Sequence, residues 1–213
     1  MKHGESFSQN LQNLTFYEWV DFVFSPAKDK SWSWMEWEWE FDDPKPPLFL
    51  YAILNRWLRF TTQLFRKPLF LSSYTDAEIE ADFGFLLGFD GLLHWLGHHN
   101  LSLALRKACI LSMVGLFQNH LSSLPENSAI VYMWWDLLIF GQKLEDEIKD
   151  VMFETLSQIL VMPSANCQWS ALHGLEHLEY PGSSILLEEF LQQHICVTEN
   201  VARYAQHLRP KLL

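Results

Sequence analysis

Three cysteines in 213 residues, Cys109, Cys167 and Cys196, are too few and too far apart for a disulfide framework. A reducing compartment is expected, and with no basic pair beside them the thiols read as small core residues rather than nucleophiles. No apolar run reaches the ~18 residues that a membrane-spanning helix requires. The densest, 83–97 and 129–140, are interrupted by Asp90 and Asp136. The start of the chain, Met1 to Ser8, has no apolar core of the kind a signal peptide carries. These absences together lead to the expectation of a cytoplasmic protein without a membrane partner. Basic residues are scarce too: 15 Lys and Arg against 26 Asp and Glu leave a net charge of −11. Such a chain repels phosphate backbones, so nucleic acid is not expected as a ligand. Glycine-rich phosphate loops and serine-nucleophile motifs are missing, and nothing calls for a cofactor.

What the chain does have is apolar and aromatic bulk. Hydrophobic residues make up 49% and there are ten tryptophans, enough for a sizeable core and for aromatic surface offered to a partner. Two capping boxes, Thr15-Phe16-Tyr17-Glu18 and Thr75-Asp76-Ala77-Glu78, open helices that run to about Ser25 and Leu87. After Pro46-Pro47 a long helix is expected to bury Leu48, Tyr51, Ala52, Leu54, Leu58, Thr61, Thr62 and Phe65, ending at Lys67-Pro68. Asp90 is placed as the cap of a short helix to Gly97, and Asn100 or Ser102 as the cap of a helix burying Leu103, Ala104, Ala108, Leu111, Val114 and Leu121. Residues 128–140 form an almost wholly apolar segment. Leu144, Ile148, Val151, Met152, Leu156, Ile159 and Leu160 give the cleanest amphipathic helix, broken at Pro163. Helices from Ser164 to Glu179, from Ser183 to about Gln193 and from Glu199 to about Leu208 close the chain.

The one strand-like signal lies between Ser31 and Phe41, where Trp37, Trp39 and Phe41 alternate with Glu36, Glu38 and Glu40 behind Trp32 and Trp34. A single short strand has no partner, so an extended segment laid over the helices is expected. The expected organisation is residues 1–45 as an N-terminal helix plus Trp-rich segment, packed on an all-α domain of residues 46–213. Short loops imply stacked antiparallel hairpins, HEAT-like in arrangement.

Tyr132-Met133-Trp134-Trp135-Asp136, followed by Ala171-Leu172-His173-Gly174-Leu175-Glu176-His177 and preceded by Tyr74-Thr75-Asp76-Ala77-Glu78-Ile79, resembles a group of uncharacterised bacterial all-helical, HEAT-like proteins. The resemblance runs from about residue 74 to the C-terminus. It implies a fold and a bacterial origin, and no activity. Glycine is common in that group where Glu176 stands here, which implies that the glutamate is not required.

That position matters because His173-x-x-Glu176-His177 also fits the inverted zincin pattern, with two imidazoles one turn apart and a carboxylate to polarise water. A catalytic zinc needs a third protein ligand, and only Glu188, Glu189 and Glu199 follow in sequence, while His94, His98 and His99 could supply one only if their helix meets this one. The other reading is packing: Ala171, Leu172, Leu175 and Leu178 face the core and the histidines point outward or to a neighbouring helix, with no metal. Asp136, flanked by apolar residues, is expected to be a buried acceptor held by an indole N–H or a helix-end amide. Packing is the favoured reading. The functional expectation is a non-enzymatic protein-binding module using Trp32, Trp34, Glu36, Glu38 and Glu40, in one concrete form an immunity-type protein that covers a basic toxin. The alternative is a metal-dependent hydrolase with His173 and His177 as ligands and Glu176 as its base.

Overall fold

The computed structural model describes residues 13–24, 48–87, 91–126, 128–139, 141–193 and 195–212, and among these the fold is all-helical with no strand. Trp32, Trp34, Glu36, Glu38, Glu40 and the proposed cap Asp90 lie outside the described residues. The helices are α1 (Phe16–Phe24), α2 (Leu48–Arg66), α3 (Asp76–Leu87), α4 (Leu103–Asn119), α5 (Ala129–Tyr132), α6 (Trp134–Ile139), α7 (Asp146–Leu160), α8 (Ala165–Leu178), α9 (Ser183–Gln192) and α10 (Glu199–Leu212). Short 3-10 turns at Pro68–Ser73, Leu92–Gly97 and Leu121–Ser123 join some of them.

Both capping boxes form. Thr15 N donates to Glu18 Oε2 at 2.7 Å while Glu18 N donates to Thr15 Oγ1 at 3.3 Å. The Thr75 and Glu78 pair repeats this at 2.8 and 3.3 Å, so each helix start satisfies two amides that would otherwise be orphaned. Helix α1 is anchored by rings: Phe16 meets Phe60 of α2 at 5.8 Å and Phe24 meets Phe83 of α3 at 5.5 Å.

Helix α2 packs along α4, α4 along α7, and α7 along α8, which also touches α5, α6 and α10. Gly115 permits the first of these contacts, because a Cβ there would lie 3.0 Å from the Phe65 backbone oxygen. On α7 the expected apolar face is buried, and Leu144, which precedes the helix, is half-buried. On α2 the face is broader than expected: Ala52 points to solvent, whereas Ile53, Trp57 and Leu64 join the core.

Two expectations are corrected on α4 and after it. Its buried face is Arg106, Cys109, Ile110, Ser112, Met113, Leu116 and Phe117, while Leu103 and Ala104 are exposed. With polar Arg106 and Ser112 on the buried side and apolar Leu103 and Ala104 on the exposed one, the sequence carries no periodic contrast to mark the inner side. The apolar stretch 128–140 is two short helices, α5 and α6, meeting at Met133. Both consecutive indoles beyond that break, Trp134 and Trp135, are fully buried. The 92–97 segment is a 3-10 turn that begins after Gly91.

Helix α8 is the innermost element. Ser164 caps it, its side chain accepting from Cys167 N, and Glu179 ends it in the left-handed region at φ 49°. Ala171, Leu172, Leu175 and Leu178 are buried as expected, and polar Asn166 and Gln168 are buried with them. Gln168 satisfies its amide on the chain before α10: its Nε2 donates to the Ile195 oxygen at 2.8 Å and its Oε1 accepts from Val197 N at 2.9 Å. Helix α10 runs four residues beyond its expected end, through Pro210 to Leu212. That extra turn carries Lys211 back to α8.

Candidate functional site

The histidines of α8 turn to a neighbouring helix, one of the two expected placements, with His173 buried and His177 still exposed. Asp136, in the first turn of α6, lies against them, with His173 Nε2 at 2.9 Å from its Oδ2 and His177 Nε2 at 2.8 Å from its Oδ1. The acceptor Asp136 is therefore held by two imidazoles rather than by an indole: Trp134 Nε1 donates to Met113 Sδ instead, and Trp135 Nε1 has no partner. One contact is directed and one is not. His173 makes a hydrogen bond to Oδ2, whereas Oδ1 receives no aligned N–H although His177 is close.

A second relay starts from the other face of His173. Its Nδ1 is 3.1 Å from the Tyr204 hydroxyl, which donates to Glu176 Oε2 at 2.8 Å, and Lys211 Nζ donates to Glu176 Oε1 at 2.6 Å. Burial and then the Glu176 hydrogen bond push the Tyr204 hydroxyl well above its ordinary range, so it keeps its proton. With that hydrogen directed at Glu176, the Tyr204 oxygen is left to accept the Nδ1–H of His173. The rings around it are stacked: Tyr132 lies over His173 at 4.1 Å, and Trp169 over Tyr204 at 4.5 Å.

Burial alone would raise the Glu176 carboxyl, but hydrogen bonds from Lys211 and Tyr204, and the charges of Lys211 and His173, bring it below the usual carboxylate range. A base that activates water needs the opposite tuning, toward neutrality. Glu176 also spends both oxygens on protein donors. The zincin role proposed for it therefore has no support in the geometry. Because its folded value is depressed, its contribution to stability is present above the ordinary carboxyl value and is lost as pH falls through the folded one. We expect Lys211→Ala to lower stability by about 1 kcal/mol at about pH 7 and by far less at about pH 3, measured by urea unfolding. An equal cost at both pH values would contradict the pairing.

Asp136, His173 and His177 are the only three or more His, Cys, Asp or Glu side chains among the described residues whose ligand atoms lie within 4.8 Å of one another. The histidines near residue 94 do not join them: His94 meets Gln142 Nε2 at 3.3 Å, and His98 stacks on His99 at 5.1 Å. Glu188, one of the carboxylates available as a third ligand, pairs with Arg209 instead. The missing third group was Asp136, upstream of the motif. A groove of about 500 Å³ adjoins the cluster, lined by Tyr132, Asn166, Trp169 and Asn200 among others. Thiol chemistry is excluded for Cys109, whose burial pushes it up to about 12.

Neither a family model, nor a curated protein, nor a solved structure matches this chain. No helix among the described residues is long and apolar enough to cross a membrane.

Proposed function

We propose that this chain is a non-enzymatic binding module for a basic protein, an immunity-type partner of the bacterial cytoplasm, built as a HEAT-like stack of helical hairpins. The observation that carries this reading is the state of the acid–base cluster. Glu176 is tied to Lys211 and Tyr204, and Asp136 is faced by two histidines of which His173 is hydrogen-bonded to it, so these carboxylates are turned to the protein's own side chains rather than to a substrate. Function then falls to recognition of a partner, for which the net charge of −11 steers cationic chains and Trp32 and Trp34 are the aromatic anchors we assign from the sequence.

The stack is supported by the order of packing, in which α4 lies between α2 and α7, and α8 between α7 and α10. Kinship with the bacterial HEAT-like group rests on the stretches that resemble it, of which the tryptophan pair before Asp136 is the most specific; Asp136 of that stretch contacts His173 and His177 of the next. Gly174 of the latter lies against Trp135 of the former.

The test is calorimetric titration of the full chain with a lysine-rich polypeptide, and with a glutamate-rich one as control. Binding of the cationic probe alone, weakening as salt is raised, is the expected result. Absence of binding at low ionic strength would remove the proposal.

A further inference from the structure

The relay through Tyr204 fixes more than the orientation of His173. Since Nδ1 holds a hydrogen for the Tyr204 oxygen, the 2.9 Å contact of His173 Nε2 with Asp136 Oδ2 needs either a second ring proton, which makes the hydrogen bond, or in its absence a metal ion shared by the two lone pairs. Two lone pairs at that distance repel unless a cation lies between them. The cation is either a proton or a metal ion, and the second histidine distinguishes the two. His177 Nε2 sits 2.8 Å from Oδ1 without an aligned N–H, leaving Oδ1 buried and without a directed hydrogen bond. A buried carboxylate oxygen left without a directed donor beside two imidazoles calls for a cation beyond the one proton that His173 can share. Zinc bonds of ~2.1 Å at tetrahedral angles set neighbouring ligand atoms on the order of 3.4 Å apart, so a bound ion would part the 2.8 and 2.9 Å contacts by about half an ångström. All three ligand atoms here lie within 4.8 Å of one another.

We propose that Asp136, His173 and His177 form a site for one divalent ion of the zinc class, which clasps α6 to α8. The donor set is two imidazoles and one carboxylate, which suits zinc among the common biological ions. Tyr204, Glu176 and Lys211 form the outer shell: the Tyr204 oxygen holds the His173 tautomer that leaves Nε2 free to bind metal. Access is from the His177 side, where that side chain is 42% exposed while His173 is 9% exposed. The role is structural, because the one carboxylate next to the site that could serve as a base, Glu176, is already paired.

The experiment uses the full chain without a histidine tag, stripped with chelator, desalted and titrated with zinc chloride, with bound metal counted after gel filtration and thermal unfolding followed in parallel. One zinc per chain and a higher melting temperature in the loaded protein are expected. His177→Ala removes an accessible ligand with little risk to the fold and is expected to weaken zinc binding at least 100-fold. Tyr204→Phe keeps all three ligands and is expected to weaken it about 10-fold. His98→Ala, away from the site, is expected to bind as the unaltered chain does. No stoichiometric zinc retained after titration and gel filtration would overturn the site and leave the proton as occupant. Full binding by His177→Ala, or loss of binding in His98→Ala, would overturn it equally.

Discussion

Gly174→Ala is expected to destabilise the protein by about 3 kcal/mol, although alanine is ordinarily the better helix former by about 1 kcal/mol. The reason is the closeness of α8 to its neighbours. A Cβ at position 174 would stand 2.6 Å from Leu156 Cδ2 and from Trp135 Cγ, and 2.8 Å from Trp135 Cδ1. Leu156 can turn a little. Trp135 cannot, since its indole is fully buried and stacked on Phe117, so the clash moves the helix. For a chain of this size the loss corresponds to a fall in melting temperature of about 6 to 12 °C. Gly84→Ala is the internal control: inside α3, its Cβ would meet only Ile130 Cδ1 at 4.0 Å, and a gain of about 0.5 to 1 kcal/mol is expected. Opposite signs in chemical denaturation would establish the packing account. A neutral or stabilising Gly174→Ala would show that α8 sits further from Trp135 than described.

Asp136→Ala should cost about 2 to 3 kcal/mol, measured by urea unfolding in the presence of chelator so that only protein contacts are read. The loss comes from removing the acceptor that faces both His173 and His177, which leaves buried His173 with an unpartnered Nε2 beneath the Tyr132 ring. Asp136→Asn keeps an acceptor oxygen and should recover part of the loss. An unchanged denaturation midpoint for the alanine variant would mean that the carboxylate carries no structural role.

The contrast between α7 and α4 shows what the sequence makes legible. Helix α7 alternates charged and apolar residues at the helical period, so its inner face could be named residue by residue. Helix α4 buries polar Arg106 and Ser112 while it exposes Leu103, and only the finished packing reveals that Cys109, Met113 and Phe117 face inward. The capping boxes were readable because they are local, satisfied by partners three residues apart. The cluster on α8 was readable only in halves. A carboxylate alone in an apolar helix and a histidine pair alone in another each lacked a counterpart, and they complete each other across 37 residues of chain. That complementarity was the available signal. The Lys211 contact had no such signal, because proline inside a helix is normally disfavoured, and the end of α10 tolerates Pro210 with Leu208 already buried.

The binding proposal is tested most directly by the affinity of a Trp32→Ala/Trp34→Ala double variant for the lysine-rich polypeptide, at fixed salt, against the unaltered chain. The substitution leaves the net charge of −11 intact, so attraction between bare charges would survive it. If the Trp-rich segment is the working surface, the loss of two aromatic anchors should weaken binding by at least about tenfold, or about 1.4 kcal/mol. Equal affinities would contradict the account, reducing the interaction to the unspecific pull of an acidic protein on any polycation.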